Sequence, residues 1–467
     1  MAIRRLPVLP PPVPAERIET LAMELQDLGP LRQAAELKRL SQDFNDYSPL
    51  LQPLLADCCA QLVVRADTVE QVQRIASACA HLGVPLTLRG SGTGNYGQCV
   101  PLRGGLVLDL SGLKRLRHVD PVSGVVTAEA GITLVDLDRQ LAPLGRCLRL
   151  APSTYRSSSL GGFVAGGSGG IGSLRWGFLR DPGNLLGLEV VTVEPESRLL
   201  QLDALASEPL NHAYGTNGIL TALTLPTCEA VAWQQLVVGF DSWDGALAAL
   251  LALAASAMLL NNAALLEAPL LAAMPWPQDC APPRPGEHRL LLLAAPDTLG
   301  LLPAWLAARG GNLLWSEPQG GGRGLPLREL CWNHTTLHWR SSHPDWTYLQ
   351  MLLPDDPRPA LEALHRRWGD GLLWHLELVR NLGAPRVAAL PLLRFDDGPA
   401  LEALIAHCRE LGILVFDPHE ISVEDGGMGQ VDPAQVAAKA THDPAGLLNP
   451  GKLRGWLERE GSAGLGA

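Results

Sequence analysis

The sequence lacks the features that mark membrane-spanning, secreted and nucleic-acid-binding chains. Its longest apolar run, Ala246–Leu260, is shorter than the roughly 20 residues that a spanning helix needs. After Arg4 and Arg5 the first residues are proline-rich, without the apolar segment and cleavage site of a signal peptide. Lys and Arg total 37 against 48 Asp and Glu, and the net charge of -11 repels a phosphate backbone. We therefore expect no nucleic-acid partner and no transmembrane segment, while peripheral membrane contact stays open.

Cysteine occurs in no pattern that binds metal or builds a disulfide framework. None of the nine cysteines is spaced C-x-x-C, and none lies at zinc-finger spacing from a histidine. We expect free, mostly buried thiols in a reducing cytoplasm. With 467 residues of which 47% are hydrophobic, the chain is long enough for roughly two to four domains with large cores.

Hydrophobic periodicity divides the chain into regions that differ in predicted secondary structure. Helical spacing is predicted at residues 15–28 and 31–44, followed by a strand at 61–65 and a helix at Val69–Leu82 that Thr68 caps. From Pro85 to Thr227, short strands alternate with glycine clusters. Between residues 229 and 415, the predicted helices are Ala246–Leu260, Pro359–Trp368 and Gly398–Leu411, and the predicted strands are Leu236–Gly239, Arg289–Leu293 and Val387–Leu393. This mixture favours an α+β domain built on one antiparallel sheet.

The first glycine cluster is Arg89–Gln98. It contains the string G-x-G-x-x-G, but the predicted strand Leu106–Leu110 follows, where a dinucleotide-binding Rossmann fold needs a helix. The glycines still allow successive backbone N–H groups to point at one anion. Ser91, Thr93 and Asn95 add side-chain donors. The alternative is a tight, exposed turn between two strands.

Two further clusters follow at residues 158–170 and 214–221. The second cluster satisfies G-x-S-x-G around Ser168, the pattern of a serine hydrolase, but the flanking residues fit neither the strand nor the helix of that motif. Backbone lying against a planar ring, where any Cβ would clash, is the preferred interpretation. The third cluster is Tyr214–Thr221, and separated segments of this kind suit one extended ligand.

Five motifs in order resemble the vanillyl-alcohol oxidase / p-cresol methylhydroxylase (PCMH) superfamily of FAD enzymes. Within it, the chain is most similar to the FAD-linked subunit of glycolate oxidase and the D-lactate dehydrogenases. The motifs are R-G-x-G-T-x-x-x-G at Arg89–Gly97, a T-I-G-G-N-x-A-x-N-A-G-G-like segment at Ser159–Gly170, R-D at Arg180–Asp181, G-L-E-V-V at Gly187–Val191, and D-P-x-G-L-L-N-P-G-K-L at Asp443–Leu453.

The resemblance implies a PCMH-type FAD-binding domain of two α+β subdomains at residues 52–228. It further implies an α+β cap domain with an antiparallel sheet at 229–430, a helical extension at 1–51, and a tail at 431–467 that returns to the FAD domain. By resemblance, the FAD-binding residues are Arg89, Gly90, Ser91, Gly92, Thr93, Gly94 and Gly97 at the pyrophosphate; Ser159, Gly161, Gly162, Ala165, Gly166, Ser168, Gly169 and Gly170 at the ribityl chain and ring; and Gly218, Ile219 and Asn449. Thr93 stands where covalently flavinylated members carry a histidine, so non-covalent FAD is expected.

Two departures from the family concern its metal site. The histidine-rich motif G-H-x-G-D-G-N-x-H corresponds to Arg380–Arg386, which contains no histidine. The motif G-E-H-G corresponds to the segment 423–427, where Asp425 replaces the histidine. No metal is therefore expected, which puts the usual metal-assisted oxidation in doubt.

Histidine is the first candidate for a base that accepts a hydroxyl proton near neutral pH. Alternation over 332–340 predicts a strand with His334, Thr336, His338 and Arg340 on one face. His419 and Glu424 form a second candidate group, because they lie where the family has its active-site histidine. The alternatives are a solvated strand face and a carboxylate-capped turn. Arg380, Arg386 and Arg394 are candidates for holding a substrate carboxylate.

The sequence thus predicts a cytoplasmic FAD-dependent oxidoreductase acting on a small hydroxylated substrate, a 2-hydroxy acid of the D-lactate or glycolate class. The electron acceptor is left open among a quinone, a cytochrome, a partner subunit and O2. The alternative is a flavin-binding, non-catalytic subunit of a complex similar to glycolate oxidase.

Overall fold

Three short helices precede the first strand. The structure, a computed structural model, describes residues 6–167, 169–319, 325–427 and 429–464, with side chains up to residue 459. The helices are α1 (Ala15–Glu24), α2 (Ala34–Leu40) and α3 (Leu51–Leu55). The first two are shorter than predicted: α1 passes into a 3-10 turn that ends at Gly29, whose φ is 63°. Ile18, Leu21 and Leu25 are buried against the domain that follows, so this extension is packed in place.

The first subdomain is a small parallel sheet with one long helix. Its elements are β1 (Leu62–Arg65), α4 (Val69–Leu82), β2 (Leu86–Arg89) and β3 (Leu106–Asp109). The strand order is β1-β3-β2, with both pairings parallel. The Thr68 hydroxyl accepts a hydrogen bond from the Gln71 N–H and caps α4, as predicted. The first glycine loop connects β2 to β3, so the predicted absence of a helix after it is confirmed.

The second subdomain is an antiparallel sheet around the long strand β9. Its elements are β4 (Leu116–Val119), β5 (Val125–Glu129), α5 (Leu134–Leu141), β6 (Arg146–Leu148), α6 (Leu160–Gly166), α7 (Ser173–Trp176), β7 (Gly187–Val191), β8 (Leu199–Asp203), α8 (Ala204–Ser207) and β9 (Ile219–Glu229). The order is β4-β5-β9-β7-β8, with β6 pairing the end of β9. The sequence predicts no helix in the second glycine cluster, yet α6 forms there because Ser159 caps it.

The cap contains most of the remaining strands. Its first half comprises β10 (Gln234–Phe240), α9 (Trp243–Ala254), β11 (Leu260–Leu266), β12 (His288–Ala294), α10 (Leu302–Ala307), β13 (Asn312–Pro318) and α11 (Asn333–Arg340). Its second half comprises β14 (Trp346–Tyr348), β15 (Gln350–Leu352), α12 (Arg358–Trp368), β16 (Leu372–Leu373), β17 (His375–Asn381), β18 (Ala384–Ala389), β19 (Leu392–Arg394), α13 (Gly398–Glu410) and β20 (Leu414–Phe416).

The cap contains the predicted antiparallel sheet, but not as a single sheet, because β14, β19 and β16 form a second, three-stranded antiparallel sheet. The first sheet is the larger of the two. Eight strands follow the order β13-β10-β12-β11-β17-β18-β15-β20, and every neighbouring pair is antiparallel. Helices α9, α12 and α13 pack their leucines on one face of this sheet. The predicted helix Ala246–Leu260 is wrong in its second part, because Leu260 begins β11 and Leu260, Ala263 and Leu265 are buried in the same core as α9. Within the described ranges, no helix combines the length and the apolar character required to cross a bilayer.

The tail packs back onto the first two subdomains. Helix α14 (Val423–Gly426) precedes the tail, which contains α15 (Pro433–His442) and α16 (Arg454–Gly464). Leu448 bridges Leu86 of β2 in parallel. On α15, the Lys439 ammonium lies 2.7 Å from the Asp443 carboxylate and donates to the carbonyls of Thr216 and Leu448. This buried ion pair joins the tail to the residues just before β9.

We expect Lys439→Met to destabilise the protein by about 3–5 kcal/mol, because it leaves the Asp443 carboxylate buried without its cation. Urea unfolding followed by circular dichroism measures the loss. The matched control is Arg366→Met, which removes an exposed pair with Glu362 (side chains 73% and 74% exposed) and should cost about 1 kcal/mol or less. Equal losses for the two variants would show that the buried pair does not anchor the tail.

Candidate functional site

The three glycine segments meet in the fold. A Cβ placed on Gly90 would lie 2.1 Å from the Ser159 Oγ and 3.8 Å from the Gly162 Cα, so the first segment touches the second. The His212 N–H donates to the Val164 carbonyl at 2.9 Å. The Tyr214 N–H donates to the Ala165 carbonyl at the same distance, so the third segment touches the second. The contact that the sequence predicts between separated segments is therefore present.

The first loop is fixed by hydrogen bonds on both sides. Gly92 and Gly97 have φ values of 69° and 71°, which side chains rarely adopt. The Thr93 and Ser158 hydroxyls are 2.9 Å apart, and the Asn95 amide donates to the Tyr348 phenol of the cap at 2.5 Å. The loop thus lies between the second glycine segment and the cap.

The tail closes the other side of the loop. The Asn449 side-chain amide donates to the carbonyls of Gln98 (2.9 Å) and Tyr214 (2.6 Å). The Lys452 ammonium donates to the carbonyls of Gln98 and Val100, and burial lowers the pKa of Lys452 to about 8. The tail motif therefore holds the first and third segments together.

The residues present fit FAD. The Oδ1 atoms of Asn449 and Asn211 are buried without a hydrogen-bond partner among the described residues, and both lie beside the glycine segments. Unpartnered buried acceptors are costly, and the ribityl hydroxyls and the adenine amino group of FAD are donors that would satisfy them. Glycines at close approaches leave room for a backbone to contact a phosphate or a flat ring.

A cavity of about 280 Å³ is lined by residues of both the first loop and the cap. The lining from the FAD-binding side consists of Thr93, Asn95, Ser153, Thr154, Arg156 and Ser157. Phe44 and Tyr47 of the extension and Glu329, Asn333, His334 and Leu337 of the cap complete it. This cavity, which we call the interdomain cavity, is bordered by groups from three parts of the chain.

His334 lies in an ionic cluster at this cavity. Its Nδ1 is 2.9 Å from the Glu329 carboxylate, and the Arg156 Nε lies 3.0 Å from the other oxygen of Glu329. Burial alone would raise the pKa of the Glu329 carboxyl, but the His334 hydrogen bond and the charges of Arg156 and Arg328 hold it below its usual value. Glu329 is therefore an anion that orients the imidazole.

The predicted strand over 332–340 is wrong, because residues 333–340 form helix α11. Trp332, the residue before the helix, has a positive φ of 54°. Its backbone N–H donates to the buried Glu377 carboxylate at 2.8 Å. His334 and His338 still share a face, since residues four apart align on a helix. The His338 Nε2 lies 2.8 Å from the Glu329 carbonyl, so both imidazoles contact the same residue.

The other predicted catalytic side chains lie away from the cavity lining. Arg340 donates to the carbonyls of Trp346 and Asp46 and lies over the Tyr47 ring. His419 is fully buried, with its ring nitrogens beside the Ser48 hydroxyl and the Tyr348 carbonyl. The Glu424 carboxylate accepts from the Arg454 and Gly455 N–H groups at the start of α16. None of these three residues lines the cavity, and each is held by contacts with neighbouring groups.

The remaining predicted positions are distributed as follows. Ser168, predicted both for FAD binding and as a hydrolase nucleophile, lies outside the described residues, and the residues just before it form a helix rather than a strand. Arg380 donates to the carbonyls of Leu174 and Gly383, and Arg386 donates to that of Leu353. Arg394 is an exposed side chain near Asp396. Among the described residues, no group of three or more His, Cys, Asp and Glu side chains could hold a metal ion.

Glu329 and Arg156 are missed by the sequence interpretation. Glu329 is five residues before His334, and a carboxylate so close to a candidate base is a usable signal. For Arg156, the only sequence signal is its position in the polar stretch before the second glycine cluster. Its distance of 173 positions from Glu329 can be bridged only by the tertiary fold.

Comparison with known proteins agrees with this geometry. Residues 60–202 match the family described as "FAD binding domain". The glycolate oxidase subunit GlcD of Escherichia coli (strain K12) is 32% identical over 192 residues, 40% of this chain and 38% of that protein. The D-2-hydroxyglutarate--pyruvate transhydrogenase DLD3 of Saccharomyces cerevisiae is 26% identical over 194 residues, again 40% and 38%. The similarity thus spans less than half the length of these curated relatives.

The fold extends the likeness to nearly the whole chain. A solved structure of alkyldihydroxyacetonephosphate synthase superposes with a TM-score of 0.70 at 15% identity, covering 96% of this chain and 87% of that one. Such identity establishes a shared fold only. The family match rests on the region that carries the first two glycine segments. Residues 60–202 thus match the FAD binding domain family, and the cofactor of this chain is FAD.

Proposed function

We propose that the protein is an FAD-dependent oxidoreductase that oxidises a small 2-hydroxy acid of the D-lactate or glycolate class. The observation that carries the proposal is the His334–Glu329–Arg156 cluster at the cavity that the first glycine loop also lines. The glycolate oxidase subunit and the D-2-hydroxyglutarate dehydrogenases among the relatives support this substrate class. The electron acceptor stays open, and the nine free cysteines support a cytoplasmic setting.

Each member of the cluster has a role in this reaction. When bound, FAD supplies the hydride acceptor. Because the His334 Nδ1 faces Glu329, the Nε2 atom is the ring nitrogen left to take the substrate hydroxyl proton. Glu329 stabilises the imidazolium that forms, as an orienting carboxylate does in a catalytic triad. The Arg156 Nε faces Glu329, which leaves the outer edge of a half-exposed guanidinium for the substrate carboxylate.

A non-catalytic, flavin-binding subunit is the second candidate. It is favoured by the hairpin of β17 and β18, which corresponds to the family's metal motif. There Arg380 donates to main-chain carbonyls, and the turn residue Leu382 is 78% exposed. The segment 380–386 of this hairpin contains no histidine and no carboxylate, so substrate activation would depend on the His334 cluster.

Anaerobic mixing of the FAD-loaded protein with 2-hydroxy acids distinguishes the two candidates. The panel contains D-lactate, L-lactate, glycolate and D-2-hydroxyglutarate, and the readout is the visible absorbance of the flavin. Bleaching by one member supports the oxidoreductase and names its substrate. If dithionite bleaches the flavin but none of the four 2-hydroxy acids does, the oxidoreductase proposal is contradicted and the non-catalytic subunit is favoured.

Glu329→Gln tests the orienting role. We expect the rate of flavin reduction to fall by about 10²-fold, because the neutral amide no longer stabilises the protonated imidazole. FAD content should not change. The matched control is Glu410→Gln, which alters another histidine–glutamate pair, His407 and Glu410 at 3.2 Å on the surface of α13. A Glu329→Gln rate equal to that of the control would remove Glu329 from the mechanism.

A further inference from the structure

Two cysteines face each other where the chain leaves the FAD-binding domain for the cap. Cys147 of β6 and Cys228 of β9 are direct partners in an antiparallel pairing. Their sulfur atoms are 3.5 Å apart. Cα atoms of direct antiparallel partners are roughly 4.5–5.5 Å apart, within the range of about 4.4–6.8 Å that a disulfide spans. The backbone therefore needs no rearrangement to bring the two sulfurs into a bond.

The surroundings of the pair favour reaction. Cys147 is partly exposed, while Cys228 is buried beside it, so a small oxidant can approach from the Cys147 side. Arg149 lies over the Trp176 ring at 4.3 Å, and Arg175 lies between the rings of Trp176 and Trp233. The hydrogen bond from the Cys147 thiol and the charges of Arg175 and Arg149 lower the pKa of the Cys228 thiol.

We propose that Cys147 and Cys228 are a reversible redox pair that hydrogen peroxide converts to a disulfide. The Cys228 thiolate attacks one peroxide oxygen, the O–O bond breaks, and hydroxide leaves and takes up a proton as water. The resulting sulfenic acid is attacked at sulfur by the Cys147 thiol, which forms the S–S bond and releases a second water. Two thiols are oxidised and one peroxide is reduced, and a dithiol reductant reverses the change.

The bond would close a loop around part of the FAD site. Cys147 and Cys228 are 81 positions apart, and the second and third glycine segments both lie between them. A crosslink over a long loop restricts the unfolded chain and so stabilises the folded one. Oxidation would therefore raise the stability of the region that contains the second and third glycine segments. In a reducing compartment the disulfide form would be transient.

Intact-protein mass spectrometry of the full FAD-loaded chain tests the proposal. After peroxide treatment we expect the mass of two hydrogen atoms to be lost, a peptide map linking Cys147 to Cys228, and recovery with dithiothreitol. The thermal unfolding midpoint should be several degrees higher in the oxidised form. Cys147→Ser should retain the thiol at Cys228 but trap it as a sulfenic acid that dimedone labels.

Cys59→Ser is the matched control, since it removes another partly exposed thiol and should leave the crosslink intact. No mass loss, a crosslink between other cysteines, or a crosslink that persists in Cys147→Ser would overturn the redox pair. An unchanged unfolding midpoint after complete crosslinking would overturn the stabilising role.

Discussion

Replacing Gly90 with alanine is expected to weaken FAD binding by about 10- to 100-fold, which corresponds to the 1–3 kcal/mol cost of forcing an extra methyl into a packed site. The new Cβ would lie 2.1 Å from the Ser159 Oγ, so either the Ser159 hydroxyl must rotate away from its cap of α6 or the first glycine segment must move. Fluorescence titration of the apoprotein with FAD measures the dissociation constant. Circular dichroism and thermal unfolding show whether the rest of the fold is preserved.

A second substitution separates this clash from a general loss of structure. In the Gly90→Ala/Ser159→Ala double variant the nearest remaining atom of residue 159 is its Cβ at 3.3 Å, so part of the FAD affinity should return. Ser159→Ala alone removes the cap of α6 and provides the reference. Gly371→Ala is the matched control, because Gly371 has nothing within 4 Å of a new Cβ. If the double variant binds FAD no more tightly than Gly90→Ala does, the proposed contact between the two segments is contradicted.

Replacing His334 with alanine is expected to slow flavin reduction by the 2-hydroxy acid by about 10²- to 10⁴-fold, the usual contribution of a general base. FAD affinity should stay close to that of the parent, because His334 lies on the cap side of the interdomain cavity. Stopped-flow absorbance under anaerobic conditions measures the rate. Added imidazole should restore part of it in the variant.

His407→Ala serves as the control for this substitution. His407 also pairs with a glutamate, but it lies on α13 at the far side of the cap sheet from the cavity. The flavin of the His407→Ala variant should be reduced by the 2-hydroxy acid at the parental rate. An unchanged rate in His334→Ala, with the parent active, would exclude the imidazole as the base.

The meeting of the glycine segments was predictable because its signals are local. Glycines at fixed offsets, as in Arg89–Gly97, report directly where a backbone must approach another group. The tail motif at Asp443–Leu453 was equally visible, and the structure brings Asn449 and Lys452 to that loop. An antiparallel sheet in the cap was also predictable from its mixture of helices and strands, but the order in which its strands pair was not.

The cluster around His334, to which we assign the proposed catalysis, was less predictable because it depends on tertiary contacts. The segment 333–340 has polar residues at both two- and four-residue spacing, so periodicity alone could not decide between strand and helix. In the structure the helix begins directly after Trp332, whose backbone N–H donates to Glu377 of the distant strand β17. His419 was placed by motif position alone, and only the fold shows that it is fully buried.

The most direct test of the account is the flavin content of the purified protein. The three glycine segments predict a yellow protein that holds one FAD per chain, released as intact, unmodified FAD when the protein is denatured, since attachment is expected to be non-covalent. Apoprotein should regain the flavin spectrum on addition of FAD. A correctly folded, colourless protein that takes up no FAD in titration would contradict the account.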